Sequence, residues 1–297
     1  MMRNPRMTRN ENAGVLPVDK PAGPTSHDVV AQARRALGER RIGHTGTLDP
    51  FASGLLLLCV GVATRIAEYL TDQAKKYRAV MTLGAGTDTD DATGAVITVS
   101  EGWRDLSIDD LEAALAEQVG SLLQRPPAYS AKKVGGERMY RLAREGRAPA
   151  LDPVPVQIYT LDLIAWEPPE VTFDLACSAG TYIRAIARDV GERLGVPAHL
   201  SALRRTAIGG IDVKEAVAID DLGNEEAVRR AWITPLKAVA HLPSIPIDAQ
   251  IAAALAHGRA VQVQEAIEGT AAAVLGDRLV AIVEADGQWL RPRKVFV

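Results

Sequence analysis

Only two cysteines occur in the 297 residues, Cys59 and Cys177, and they share no metal-ligand or redox spacing. A disulfide framework is therefore excluded, and two buried thiols in a reducing cytoplasm are expected. Long apolar runs are scarce as well. The longest, Leu55–Ala63, falls far short of the ~20 residues a spanning helix needs, so no membrane segment is expected. Nor is there the overall positive charge that marks a general polyanion binder, because 34 Lys and Arg against 37 Asp and Glu leave a formal charge of -3. Any attraction to phosphate must come from local patches. Residues 1–13 carry arginines at 3, 6 and 9 but no apolar stretch, and they read as a disordered extension instead of a signal peptide. No internal repeat is present. The run Asp88-x-Asp90-Asp91 has Ala92 in a calcium loop's third ligand slot, and Gly94 falls one place late. Gly84-x-Gly86 lacks the rest of a dinucleotide fingerprint, and no Walker-type loop accompanies any aspartate. Metal, nucleotide and redox cofactors are therefore not expected.

What is present centres on Gly43-His44-Thr45-Gly46-Thr47-Leu48-Asp49-Pro50-Phe51-Ala52-Ser53-Gly54, directly before the apolar strand Leu55–Gly61. The glycines permit backbone shapes that other residues avoid, and Pro50 fixes its own φ while pushing Asp49 toward an extended conformation. One carboxylate is thus held on a stiff bend. Two basic patches flank it. Residues 125–147 hold seven cations and two carboxylates, net +5, and residues 34–41 hold four arginines and one glutamate, net +3. Both place counter-charge where a phosphate backbone can lie.

The coarse layout is mixed. A strand near Val15 leads to a helix over 27–37 with Ser26 as its N-cap. Strands at 55–60, 77–83 and 94–98 precede a helix over 108–119, capped by Ser107. The runs 154–166 and 171–177, around Glu167-Pro168-Pro169-Glu170, read as two successive antiparallel strands, which argues for α+β and against a doubly wound parallel sheet. A helix over 181–194 aligns Ile183, Ile186, Val190 and Leu194 before Gly195 ends it, and carries Arg184 in its first turn. A cation there opposes the helix dipole and calls for a fixed carboxylate nearby. After Pro243 and Pro246 a helix over 249–256 and strands near 261–263, 271–275 and 279–284 follow, with Asp286-Gly287 expected as a hairpin turn before the last strand.

Several blocks in one order carry a family resemblance. These are Val18-Asp19-Lys20-Pro21-Ala22-Gly23, the Asp49 loop, Lys76-Tyr77-Arg78-Ala79, Thr87 through Gly94, Pro126 through Val134, Cys177 through Arg184, and His199-Leu200 with Leu203-Arg204-Arg205-Thr206. The chain resembles the TruB family of tRNA pseudouridine synthases. The resemblance implies a pseudouridine synthase fold with a central mixed, largely antiparallel sheet over 14–242. It implies an RNA-binding insertion at 125–150 and a small β-rich PUA-like RNA-binding domain at 243–297. It implies Asp49 as catalytic nucleophile, with Arg184 beside it and Tyr77 stacking on the uracil. His44 would fill the space of the flipped base, Lys20 and Tyr182 would lie near the substrate, and Leu203 would line the pocket. Lys132, Lys133 and Arg141 would meet the T stem-loop of tRNA. A cytoplasmic monomer is expected. Two competing readings are a non-catalytic RNA-binding or RNA-folding protein, which would need none of Asp49, Tyr77 and Arg184, and a related synthase acting on a different RNA or a different uridine.

Overall fold

The computed structural model describes residues 13–127, 129, 133–134, 137–138 and 151–296. In chain order the elements used below are β1 (Gly14–Lys20), α1 (Ser26–Leu37), β2 (Ile42–His44), β3 (Ser53–Val60), α2 (Ala67–Thr71), β4 (Lys75–Leu83), β5 (Ala85–Thr87) and β6 (Val96–Val99). They continue with α3 (Ile108–Ala116), β7 (Gly120–Gln124), β8 (Lys133–Val134), β9 (Glu137–Arg138), β10 (Val154–Glu167), β11 (Glu170–Cys177), α4 (Ile183–Leu194), β12 (Ala198–Ile208), β13 (Ile211–Asp212) and β14 (Val217–Ala218). The last strands are β15 (Ser244–Pro246), β16 (Val261–Leu275) and β17 (Arg278–Val295). Backbone contacts divide the chain into two units, one made of residues through Asp49, Leu55–Thr71 and everything from Val213 on, the other of Pro50–Gly54 and Asp72–Asp212.

In the first unit β1 runs parallel to β14 and β2 antiparallel to β3, with His44 opposite Leu58. Helix α1 lays Val29, Val30 and Ala33 against Leu16, Val18, Leu56 and Leu58 to form a core. Its N-cap is Thr25, not the expected Ser26. Thr25 Oγ1 accepts from the Asp28 amide at 3.1 Å and Asp28 Oδ2 accepts from the Thr25 amide at 2.9 Å, a reciprocal capping box. The carboxylate three residues after Thr25 decides between two adjacent hydroxyl residues and frees Ser26 for another task.

The end of the chain builds its own core in the same unit. β15 pairs parallel with β16, β16 antiparallel with β17, and the helix Ala249–Ala256 buries Ala252 and Leu255 against Ile245, Ala271, Ala273 and Val283. The expected Asp286-Gly287 hairpin turn is not there. The reversal lies between Leu275 and Arg278, while Gly287 sits inside β17 opposite Ile267. Gly276, with φ 63°, supplies the left-handed residue that the tight connection needs. Lys294 Nζ lies 2.8 Å from Glu68 on α2, tying β17 to the residues after β3.

The second unit is ordered β12-β4-β11-β10-β7, each neighbour antiparallel. Arg204 and Arg205 of β12 also pair in parallel with Ser53 and Gly54, so the strand arrangement is mixed but largely antiparallel, and the α+β expectation holds. Strand β4 alternates cleanly, with Lys75, Tyr77, Ala79, Met81 and Leu83 turned inward. Helices α3 and α4 bury Leu111, Leu115, Ile183, Ile186 and Val190. Ser107 caps α3 as expected, in a capping box with Asp110, and Gly195 with φ 69° ends α4. Strand β12 is not among the strands that the pattern predicts. A bulge between Leu200 and Ala202 breaks its period, and Arg205, only 2% exposed, occupies a core position. Both thiols are buried, and desolvation pushes Cys59 up to about 12 and Cys177 up to about 11.

Candidate active site

Lys20, His44 and Asp49 are carried by the first unit; Tyr77, Tyr182, Arg184 and Leu203 are carried by the second. The Asp49 loop is held from both ends. The hydroxyl freed at Ser26 donates to the Leu48 carbonyl at 3.1 Å and accepts from the Leu48 amide at 2.9 Å, pinning the residue before Asp49 to the start of α1. Upstream, the Thr45 amide donates to Leu57 of β3 at 3.1 Å. Leu48 and Ala52 are buried while Asp49 between them is half-buried, so the loop anchors itself through apolar neighbours and presents the carboxylate. Gly46 amide donates to His44 Nδ1 at 3.3 Å, and the His44 ring meets His27 edge-on with centroids 5.3 Å apart. Lys20 at the end of β1 is fully buried, with Nζ donating to the Pro21 carbonyl at 2.8 Å.

In the second unit Tyr77 occupies an inward position of β4, between Leu175 of β11 and Arg205 of β12, and is 7% exposed. Leu203, two residues along β12, is 9% exposed. Tyr182 ends the approach to α4, and Gln124, itself buried, clasps its backbone: the Tyr182 amide donates to Gln124 Oε1 at 2.8 Å and Gln124 Nε2 donates to the Tyr182 carbonyl at 3.1 Å. Arg184 is buried, not a solvated surface cation. The carboxylate that its place in the first turn calls for is supplied by Asp91, whose Oδ2 lies 3.3 Å from Arg184 Nη1, both side chains 6% exposed. Arg184 Nη1 also donates to the Thr89 carbonyl and Nη2 to the Tyr129 carbonyl, each at 2.9 Å.

Asp91 is itself fixed. Its Oδ1 accepts from Thr89 Oγ1, the Thr93 amide and Thr93 Oγ1, and its carbonyl accepts from Thr87 Oγ1. The Thr/Asp run that resembles a calcium loop in composition therefore serves as an anion clamp for arginines. Nothing in its spacing points to residues nearly a hundred positions away. Lys132 and Arg141 lie outside the described residues; Lys133 is described only as backbone, pairing with Arg138 in the short β8–β9 ladder.

Comparison with known proteins gives the family. A model of the TruB family pseudouridylate synthase N-terminal domain matches residues 34–183. A model of the tRNA pseudouridylate synthase B C-terminal domain matches 184–239. The chain belongs to the TruB family. The tRNA pseudouridine synthase B of Burkholderia mallei (strain ATCC 23344) is 40% identical over 305 aligned residues, covering 99% of this chain and 97% of the relative. That of Heliobacterium modesticaldum is 41% identical, with 96% of each chain covered. Among solved structures, a Cbf5-Nop10-Gar1 complex contains a chain with 30% identity and a TM-score of 0.76, covering 97% of this chain and 86% of that one. An H/ACA RNP bound to a substrate RNA containing 2'-deoxyuridine contains one with 27% identity and a TM-score of 0.75, covering 99% and 88%. The Asp49 loop, Tyr77 and Tyr182 fall in the first TruB segment, and Arg184 opens the second.

Proposed function

We propose that this chain isomerises the uridine at position 55, in the T stem-loop of tRNA, to pseudouridine, with Asp49 as the nucleophile. The observation that carries this reading is the 40% identity, over 99% of the chain, to a protein named tRNA pseudouridine synthase B. The reaction breaks the bond between ribose C1' and uracil N1, turns the base while it is held, and rejoins it through C5. Product and substrate are isomers, so the atoms balance without a redox cofactor, nucleotide or metal. What the chemistry needs is an ionised carboxylate on a rigid support in a water-poor pocket. The doubly pinned loop at Leu48 supports that role for Asp49, and the buried, clamped Arg184 supports a role in holding negative charge during the reaction.

A uridine inside a folded loop must first leave its stack, at a cost of a few kcal/mol. In this reading His44 takes the vacated space and Tyr77 stacks on the turned base. Lys20, Tyr182 and Leu203 shape the pocket, and Lys132, Lys133 and Arg141 meet the phosphates. The division into a catalytic domain over 14–242, with a basic insertion at 125–150, and a PUA-like domain over 243–297 belongs to the same proposal. So does action as a cytoplasmic monomer; among the described residues no helix is long and apolar enough to cross a membrane.

Asp49→Asn tests the assignment. Pseudouridine formation in a tRNA transcript is expected to disappear, while tRNA affinity stays within about tenfold, or ~1.4 kcal/mol. Turnover above roughly 1% of the unaltered protein, a barrier change of only ~2.7 kcal/mol, would sink the nucleophile assignment.

A further inference from the structure

The first turn of α1 holds the Asp49 loop at two places. The capping box of Thr25 and Asp28 fixes the turn itself, and Ser26 clasps Leu48. His27, the next residue, meets His44 instead: the ring centroids lie 5.3 Å apart and the ring planes stand at 84°. All of these residues belong to the first unit. His27 is exposed, so its contact with His44 is not imposed by core packing, whereas His44 is half-buried. The His44 ring is also met by backbone. Its Nδ1 accepts from the Gly46 amide at 3.3 Å, a bond that only the neutral imidazole makes, with its proton on Nε2. A neutral ring suits entry into a stack of bases, where a charge would lose its hydration.

We propose that His27 is a positioning residue for base flipping: from the capped first turn of α1 it holds the His44 ring at the angle at which that ring enters the space left by the turned uridine. This rests on the role proposed above for His44 and adds the residue that aims it. A perpendicular contact sets the edge of one ring on the face of the other, and so fixes angle as well as distance. A ring left to rotate about its side-chain torsions has to be ordered as it enters the RNA, while a ring held beforehand has already lost that freedom. His27 therefore acts on the reaction through His44, not by touching the reacting atoms.

The test is a double-mutant cycle, run with the full chain on single-turnover pseudouridine formation in a tRNA transcript at saturating protein. It compares the unaltered protein, His27→Ala, His44→Ala and the double variant, with tRNA affinity measured for each. His27→Ala is expected to slow the reaction about fivefold. In the His44→Ala background the same change is expected to alter the rate less than about twofold, because the ring it holds is gone. His27→Phe keeps a ring against His44 and is expected to bring the rate back to within about twofold of the unaltered protein. A His27→Ala rate equal to that of the unaltered protein would overturn the positioning role, and weaker tRNA binding alongside it would make His27 a direct RNA contact. So would a loss of similar size in the His44→Ala background, or a Phe variant as slow as the Ala variant. Failure of the underlying readings looks different: a His44→Ala variant as active as the unaltered protein removes the role of His44, and an unaltered protein that makes no pseudouridine in tRNA removes the substrate.

Discussion

At the scale of single residues, the polar groups buried beside Tyr77 are the least expected feature. Lys75 faces inward on β4 two residues from Tyr77, is 7% exposed, and donates to the Gln73 carbonyl at 2.6 Å. Burial pushes its ammonium down from the ordinary 10.5 to about 8, and the Arg205 cation adds to the shift. The unfolded chain keeps the ordinary value. Between about pH 8 and 10.5 it therefore binds more protons at this site than the folded chain does, and folding stability from this group rises with pH across that window. Below the window both states are charged and the cost of burial is constant. Replacing Lys75 with Met removes the titration. The stability advantage of Lys75→Met over the unaltered protein, measured by denaturant unfolding from pH 7.5 to 10.5, is expected to shrink as pH rises through the window. An advantage that stays constant with pH would contradict the burial argument.

Among elements, the pairing of Ser53 and Gly54 with Arg204 and Arg205 of β12 leaves no room for a side chain. Gly54 has φ 101°, a conformation side chains rarely adopt, and a Cβ placed there would lie 2.2 Å from the Arg205 carbonyl oxygen. The obstacle is backbone, so relief requires the strands to separate where Ser53 and Gly54 pair with Arg204 and Arg205. Left-handed strain of ~1–2 kcal/mol and overpacking of ~1–3 kcal/mol add. Gly54→Ala is expected to lose at least ~2 kcal/mol of stability. Substitution at Gly43, whose Cβ would meet nothing within 4 Å, serves as the control and is expected to cost less. Comparable unfolding midpoints for the two variants would show that β3 and β12 are free to part. Helix α4 is tied to the loop after β5 in the same way, by the pairs Arg184–Asp91 and Arg188–Asp90.

For the molecule as a whole, the open question is how a chain of net charge -3 holds a polyanion. The +5 run over 125–147 is the strongest local concentration of positive charge flanking the family's motifs. If phosphates dock on it, log affinity for tRNA falls linearly with log salt, and each contact removed shallows the slope by about 0.7 to 0.9. The triple change of Lys132, Lys133 and Arg141 to Gln is expected to weaken tRNA binding and flatten the salt dependence by up to three such steps. An unchanged slope would move the docking role to residues 34–41 or to the chain beyond Pro243.

Features that depend on neighbours along the chain are legible in the sequence itself. Pro50 and the flanking glycines make the Asp49 bend stiff by their own dihedral limits, Ser107 and Asp110 cap α3 within one turn, and alternation over 154–177 sets two antiparallel strands. Features that depend on residues far apart are not. Asp28 three residues on marks Thr25 as the cap, but the clasp of the freed Ser26 hydroxyl on Leu48, 22 positions on, shows only in the folded chain. Strand β12 is hidden because a buried Arg205 breaks its apolar period, and that burial is tolerable only inside the assembled sheet. The place of Arg184 in a first turn calls for a carboxylate, but its spacing does not point to Asp91, 93 residues earlier in the chain, which the fold brings to 3.3 Å from it. Local sterics determined the loop, the caps and the strands; which charges are buried, and against what, was decided by the tertiary structure, because burying a charge is favourable only where the fold has already placed its partner.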